Sequence, residues 1–159
     1  MTEWQGGQRA AGYRFAVVVS RFNAEITEGL LAGAREALAE AEVRAEDVTV
    51  VRVPGAFEIP MAAQRLAESG RFDAVVCLGC LIKGDTMHFE YIAEAATRGI
   101  AETGQSTGVP IAFGVLTTLT DEQAEARSRP GPDNKGREAA LAAVEMVTLL
   151  RVIDGGPEA

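Results

Sequence analysis

The chain has 159 residues, of which 47% are apolar and 24% are charged, a composition typical of a folded globular domain rather than a disordered segment. The formal net charge of −8 argues against a nucleic-acid-binding protein that uses a broad basic face. No apolar stretch approaches the roughly 20 residues that cross a bilayer, and residues 1–15 lack the apolar core of a signal peptide, so a cytoplasmic protein is expected.

A single domain covering residues 1–159 is predicted, with a poorly structured segment at each end. Residues 1–12 carry no helical or strand periodicity, although they include Trp4, the one tryptophan of the chain. Such an arm either frays or docks, and the exposed sheet edge of a neighbouring subunit is one candidate for its docking site. Residues 152–159 are expected to form a loose tail.

The first half of the chain predicts two strand–helix units. Tyr13–Ser20 is an apolar run of strand length, and Asn23 is then placed as the N-cap of an amphipathic helix. Asp47–Val53 predicts a second strand, which a proline and a glycine end. A second helix is expected from Ala56 to about Ser69.

The second half continues the alternation. Ala74–Ile82 is a continuous apolar run, typical of a central strand that is buried on both faces. The order β-α-β-α-β-α-β-α-α predicts a three-layer α/β/α sandwich around a four-stranded parallel sheet of flavodoxin-like character. The remaining predicted features are a helix that ends near Glu102, a loop at Thr103–Gly108, a strand at Val109–Thr117, a helix at Asp121–Ser128, and a last helix that Asn134 caps and that ends near Arg151.

Cys77 and Cys80 have the spacing of a redox or zinc motif, but their place in a strand argues against both. Residues three apart in a strand point to opposite faces, with Cα atoms about 10 Å apart, whereas a disulfide needs less than about 7 Å. The chain has only one histidine and no further cysteine, so no metal site is expected. Two core thiols are predicted.

Three turns with unusual chemistry each follow a predicted strand: residues 21–23 (RFN), 54–58 (PGAFE) and 83–88 (KGDTMH). Since ligands of open parallel sheets bind at the carboxyl ends of the strands, these turns are expected to share one site. The third turn combines Lys83, the hydroxyl of Thr86 and free N–H groups of the following helix, which Asp85 or Thr86 would cap. That set favours an anion such as a phosphate ester, with His88 beside it for proton transfer.

Taken singly, these residues also have ordinary explanations. Phe22 either covers the edge of the core or stacks on a flat heterocycle, and Glu58 either favours a helix N-terminus or accepts hydrogen bonds from ligand hydroxyls. His88 could be a surface residue, as could Lys83. Arg127 has no obvious route to the site within one subunit.

Two alternatives for this fold class fail on the residues after the first strand. A phospho-acceptor receiver domain needs acidic residues there, and a dinucleotide fold needs GxGxxG, whereas this chain has Arg21-Phe22-Asn23. A flavin-type electron carrier stays open, since aromatic residues and a phosphate site would serve it.

Six motifs closely resemble, in order and spacing, those of the lumazine synthase family: SRFN-x-x-I-T, PGAFEIP, GCLIKGDTMHFEYIA, PIAFGVLTT, EQAEARS and NKGREAA. The resemblance runs from Tyr13 to Met146. It implies a transferase that condenses 5-amino-6-(D-ribitylamino)uracil with 3,4-dihydroxy-2-butanone 4-phosphate, giving 6,7-dimethyl-8-ribityllumazine, phosphate and water. This is the penultimate step of riboflavin biosynthesis, and the family needs no metal or organic cofactor.

The resemblance also implies roles for individual residues. Phe22 would stack on the pyrimidine, and His88 would transfer protons, while Phe113 and Arg127 would reach the site from an adjacent subunit, Arg127 gripping the phosphate. The other residues implied in substrate binding are Ala56, Phe57 and Glu58 around the ribityl chain, Leu81 and Ile82 at the pyrimidine edge, Lys83, Asp85, Thr86 and Lys135 near the phosphate, and Asn23 and Cys80 without a more specific role.

Members of the family are homopentamers, and some assemble pentamers into icosahedral shells. A homopentamer with sites at its subunit interfaces is therefore expected, with the shell left open. Two other functions also stay open at this point, a flavin- or lumazine-binding protein without catalysis and a structural shell protein with a vestigial site.

Overall fold

Four parallel strands form one sheet in the computed structural model, which describes residues 1–156. The strands are β1 (Phe15–Ser20), β2 (Val48–Val53), β3 (Ala74–Ile82) and β4 (Ile111–Thr118), and they lie in the order β2-β1-β3-β4. β1 is buried at every residue and β3 at every residue but its last, because both are central strands with helices over each face. β1 pairs with β3 from Phe15–Ala74 to Val19–Leu78, and β3 continues to pair with β4 as far as Ile82–Thr118.

Five helices complete the three layers within the described part of the chain. They are α1 (Ala24–Glu40), α2 (Ile59–Glu68), α3 (His88–Thr107), α4 (Asp121–Ser128) and α5 (Lys135–Ile153), and short 3-10 turns at Ala45–Asp47 and Ala56–Glu58 precede β2 and α2. The predicted α/β/α sandwich with a four-stranded parallel sheet is confirmed. None of the helices in residues 1–156 is long and apolar enough to cross a membrane.

The period-two alternation of the strands divides the core between the two faces of the sheet. Val17 and Val19 pack with α1 and α5 on one face, whereas Val18 packs with α2 and α3 on the other. Cys80 belongs to the first cluster and Cys77 to the second, so the prediction of two separate core thiols is confirmed. Burial raises the pKa of the Cys77 thiol to about 12. Burial, together with the negative charge of Asp121, raises that of Cys80 to about 11.

The third helix does not end near Glu102, and the predicted loop at Thr103–Gly108 is wrong. α3 continues to Thr107, and Gly108 ends it with a left-handed φ of 72°. Thr103 is buried, and its hydroxyl donates to the Gly99 carbonyl at 2.8 Å. Tertiary burial therefore keeps in the helix a segment whose Gly/Ser/Thr composition is typical of a loop.

Some residues of both terminal segments pack on the rest of the fold. Val152 and Ile153 belong to α5, and Val152 is buried, so these two residues are not part of a loose tail; residues 157–159 of that predicted tail lie outside the described residues. In the arm, the Gly7 N–H donates to the Thr148 hydroxyl at 2.8 Å, and Ala10 is buried. The arm thus docks on α5 of its own chain, although Trp4 is exposed.

Candidate functional site

The turns after β1, β2 and β3 meet at the carboxyl edge of the sheet around a cavity of about 440 Å³. Its walls are mainly apolar and aromatic, with a few polar groups, as is usual for small-molecule sites. The lining residues are Phe22 from the first turn, Pro54, Gly55, Ala56, Phe57 and Glu58 from the second, and Leu81, Ile82, Gly84, Thr86, His88, Phe89 and Ile92 from the end of β3 to the start of α3.

The turn after β1 presents the Phe22 ring to this cavity. Its side chain is 67% exposed, so it does not serve as a cover for the core edge. The Phe22 N–H donates to the Pro54 carbonyl at 3.1 Å, which ties the turn to its neighbour. Asn23 is the N-cap residue of α1, as predicted, but its side chain makes no capping hydrogen bond. Asn23 is left-handed (φ 59°, ψ 49°), and its amide instead donates to the Cys80 carbonyl at 2.9 Å.

The turn after β2 supplies a carboxylate. The Glu58 N–H donates to the Gly55 carbonyl at 3.2 Å, and the Glu58 carboxylate lies over Gly55, with Oε1 3.7 Å from the position that a Cβ would occupy there. Glu58 precedes α2 but makes no side-chain capping hydrogen bond. Its carboxylate therefore faces the cavity with acceptor capacity left for the hydroxyl groups of a ligand.

The turn after β3 supplies a helix N-terminus. α3 begins at His88, and its N-cap residue is Met87, which makes no side-chain cap. Neither Asp85 nor Thr86 is the N-cap residue, although the Thr86 hydroxyl accepts a long hydrogen bond, 3.4 Å, from the His88 N–H. The first N–H groups of α3 thus lack intrahelical partners, and the residues around them, Thr86, His88 and Phe89, line the cavity.

Some of the predicted residues adjoin the cavity without lining it. Asn23 and Cys80 bond to each other behind its wall. Lys83 pairs with Glu90 in the first turn of α3, Nζ to Oε1 3.4 Å, and Asp85 is exposed outside the lining.

Three predicted residues lie on other elements of the same chain. Phe113 is 46% exposed on β4, which is an edge strand of the sheet. Arg127 lies in α4 and donates to the Gln123 carbonyl at 3.0 Å, and Lys135 pairs with Glu138 at 2.8 Å. Within residues 1–156, the cavity wall therefore carries neither a lysine nor an arginine.

Two lining residues, Phe89 and Ile92, lie outside the three turns that were expected to form the site. Both are half-buried, and their i, i+3 spacing is typical of the core face of a helix. Their position in the first two turns of a helix that starts at the site was the available signal. No group of three or more metal-ligating side chains is placed together in the described part of the chain.

One family model and two known proteins with the same description match most of this chain. The family model described as 6,7-dimethyl-8-ribityllumazine synthase matches residues 12–151. A protein of that name from Salinibacter ruber is 49% identical over 154 residues, which cover 97% of this chain and 99% of that protein. Another of the same name, from Syntrophus aciditrophicus, is 51% identical over 152 residues, which cover 96% and 99%.

Proposed function

The chain belongs to the 6,7-dimethyl-8-ribityllumazine synthase family, and we propose that the cavity at the carboxyl edge of its sheet is where the family's reaction takes place. The chain is a transferase of riboflavin biosynthesis. It condenses 5-amino-6-(D-ribitylamino)uracil with 3,4-dihydroxy-2-butanone 4-phosphate to 6,7-dimethyl-8-ribityllumazine, phosphate and water. The observation that supports the location is the meeting, in one cavity, of an exposed aromatic ring, a carboxylate, and a helix N-terminus beside the one histidine of the chain.

The uracil substrate occupies the side of the cavity formed by the first two turns and the end of β3. Its pyrimidine ring stacks on Phe22, and its ribityl hydroxyls donate to Glu58 beside Ala56 and Phe57. Backbone groups alternate in direction along a strand, and the Cys80 carbonyl points towards β1. The backbone groups of Ile82, two residues further along β3, face the same side of the strand, beyond the last residue of β1. They are therefore free to pair with the edge of the pyrimidine.

The phosphate of the second substrate binds at the N-terminus of α3. Free N–H groups and the helix dipole favour an anion there, and the Thr86 hydroxyl adds a donor. A phosphate ester still needs a positive partner, and no lysine or arginine in residues 1–156 lines the cavity within one subunit.

A neighbouring subunit supplies that partner in a homopentamer. Arg127 of the neighbour grips the phosphate, Phe113 of the neighbour closes the cavity from its edge strand, and Lys135 lies near the phosphate. The exposure of Phe113 in one subunit supports this arrangement, because a large aromatic side chain left 46% exposed on a sheet edge is suited to an interface. Assembly of pentamers into a shell is compatible with the same site.

The chemistry relies mainly on orientation. The amine of the uracil substrate attacks the ketone and loses water to form an imine, and the phosphate leaves by elimination. The ribitylamino nitrogen then closes the ring on the remaining carbonyl group with loss of a second water. Because the amine is already a competent nucleophile, holding the two substrates together is the largest contribution, and it is worth up to roughly 7–11 kcal/mol in favourable cases. His88 moves protons during imine formation and elimination, and no metal or organic cofactor takes part.

The test of the proposed function is turnover with both substrates, followed through the absorbance of the lumazine product. A binding protein without catalysis would take up the product or the uracil substrate and show no turnover. Native mass measurement on the same sample separates the pentamer from a larger shell, and a functional monomer would contradict the shared site.

Complementation tests whether two subunits build each site. His88→Ala and Arg127→Ala are each expected to lower activity when made alone. Co-expressed and assembled together, they should regain part of it, because some sites then combine an intact His88 with a neighbour's intact Arg127. Arg44→Ala is the matched control, since Arg44 precedes β2 at the opposite edge of the sheet and should leave activity unchanged. Mixed assemblies that stay as inactive as their parents would refute the proposal.

A further inference from the structure

We propose that Asn23 is a positioning residue, which holds the Phe22 ring in place through the side-chain amide that it donates to β3. This inference rests on the proposed function, because it assigns the ring to the uracil substrate. It differs from the expectation that Asn23 itself binds substrate.

The amide of Asn23 continues the sheet where its backbone has ended. Pairing between β1 and β3 stops at Val19 and Leu78, and the chain then turns away into α1. The Cys80 carbonyl, two residues beyond Leu78, would face a missing strand on this side. Asn23 Nδ2 donates to it at 2.9 Å and so replaces the backbone donor that β1 no longer provides.

A second tether holds the same turn from the other side. The Arg21 N–H donates to the Val53 carbonyl at 2.8 Å, and the Phe22 N–H donates to the Pro54 carbonyl at 3.1 Å. Phe22 is thus fixed between the turn after β2 and the end of β3. Both tethers end next to cavity-lining residues, since Gly55 follows Pro54 and Leu81 follows Cys80.

The backbone conformation of this turn limits the residue types that can donate a side-chain hydrogen bond to the Cys80 carbonyl from position 23. The left-handed conformation of Asn23 (φ 59°, ψ 49°) is unfavourable for most side chains, and it is best tolerated by glycine, asparagine and aspartate. Glycine has no side chain to donate, and aspartate would place acceptor oxygens against the Cys80 carbonyl. Asparagine combines tolerance of this backbone with a donor of the right length.

The experiment compares Asn23→Gly and Asn23→Asp with the wild-type oligomer in steady-state kinetics, varying each substrate separately. We expect KM for the uracil substrate to rise about fivefold in Asn23→Gly, the equivalent of one net hydrogen bond, and at least as much in Asn23→Asp. KM for the butanone phosphate should stay within about twofold, because its phosphate binds at α3. Glu42→Gly is the control: Glu42 is also left-handed (φ 68°) and exposed, and its replacement should change neither KM.

A double-mutant cycle separates positioning from direct contact with substrate. If Asn23 acts through the ring, Asn23→Gly should raise the uracil KM by less than about twofold when Phe22 is already alanine, since coupled sites are not additive. Unchanged KM values in Asn23→Gly, an equal rise in both KM values, or an additive cycle would each overturn the inference.

Turnover by the wild-type protein shows whether a negative result contradicts the role of Asn23 or the proposed function. An active wild type with an additive cycle contradicts only the role of Asn23. A wild type without turnover contradicts the proposed function, and calorimetric titration with the uracil substrate then applies the same criteria to the four proteins of the cycle.

Discussion

Asn134 donates its side-chain amide to the carbonyl of Gly29, a residue 105 positions earlier in the chain, at 3.1 Å. The same nitrogen lies 2.9 Å from the Ser128 carbonyl and 3.1 Å from that of Arg129, and Oδ1 accepts from the Arg137 N–H at 3.0 Å. One buried amide therefore joins α1, the end of α4 and the start of α5. It fixes the short helix that carries Arg127, although two prolines separate that helix from α5.

Asn134→Ala is expected to destabilise the folded chain by about 2–4 kcal/mol, because it removes an N-cap and leaves buried carbonyls without donors. The measurement is the urea dependence of unfolding at fixed protein concentration. Asn134→Asp keeps the capping acceptor but turns a carboxylate oxygen towards the Gly29, Ser128 and Arg129 carbonyls, so it should destabilise the chain at least as much as alanine does. An alanine variant within about 0.5 kcal/mol of the wild type would show that the amide is dispensable.

Gly136→Ala should be at least as damaging, because the Gly136 backbone of α5 lies directly against the Leu30 backbone of α1. A Cβ at Gly136 would lie 2.0 Å from the Leu30 carbonyl oxygen, which is backbone and cannot rotate away. We expect a loss of about 3 kcal/mol or more, as for severe overpacking. Gly104→Ala is the matched helical control: its Cβ would make ordinary contacts, with Ile111 at 3.4 Å and the Val109 carbonyl oxygen at 3.7 Å, and α3 should gain up to about 1 kcal/mol. Thermal melts of both variants test the contrast, and equal melting temperatures would contradict it.

The sequence located the buried strands well because their signal is local and redundant. The apolar run Ala74–Ile82 coincides with β3 residue for residue, since a strand covered on both faces needs apolar side chains throughout. The three turns of the site were found together for a topological reason, as the carboxyl ends of parallel strands share one edge.

Conformation is hard to predict from sequence where one residue type is favoured in several conformations. Asparagine is favoured both at helix N-caps and in left-handed turns, so periodicity alone could not show that Asn23 reaches across to Cys80. Thr103 looked like part of a loop because its burial against the rest of the fold is a tertiary property. A role for Arg127 at the cavity is harder still to derive from the sequence, because Arg127 does not line the cavity of its own chain.

If the Phe22 ring stacks on the pyrimidine, Phe22→Ala should weaken binding of the uracil substrate by about 1–3 kcal/mol, which corresponds to a rise in KM of roughly 5- to 150-fold. Stability should change little, since the side chain is two-thirds exposed. Phe22→Leu keeps apolar bulk without a flat ring and should be intermediate. Leucine equal to phenylalanine in KM would show that the ring provides only apolar cover.

The two cysteines should resist thiol reagents in the folded protein. Burial raises the pKa of Cys77 to about 12 and that of Cys80 to about 11, so at pH 8 both are almost entirely neutral thiols, which are poor nucleophiles. We expect no labelling by a chromogenic disulfide reagent before denaturant is added, and two thiols per chain afterwards. Prompt labelling of one thiol in the native protein would contradict this assignment.

The same pKa shifts predict a dependence of stability on pH. The ordinary value is 9.0, so between pH 9 and the raised folded-state values the folded chain retains protons that the unfolded chain has lost. The contribution of these thiols is therefore complete below about pH 9 and is lost as the pH rises further. A Cys77→Ala/Cys80→Ala variant should lose less stability than the wild type between pH 9 and pH 10.5, as measured by urea unfolding. An equal loss in both proteins would assign the alkaline destabilisation to other groups.

Arg127→Ala should reduce kcat/KM more than His88→Ala does. The uracil amine is nucleophilic without help, so loss of His88 is expected to cost about tenfold, less than the usual 10²–10⁴-fold range of general acid–base catalysis. Without Arg127, the phosphate is bound only by helix N–H groups and a hydroxyl, with no positive charge at its site. Because the charge-assisted hydrogen bonds are missing, we expect kcat/KM to fall by about 100-fold or more. Arg127→Lys should recover part of this, since it restores charge without the planar fork. Steady-state kinetics with the butanone phosphate as the varied substrate decide the ranking: a larger defect in His88→Ala would mean that proton transfer, rather than capture of the phosphate by a neighbouring subunit, limits the reaction.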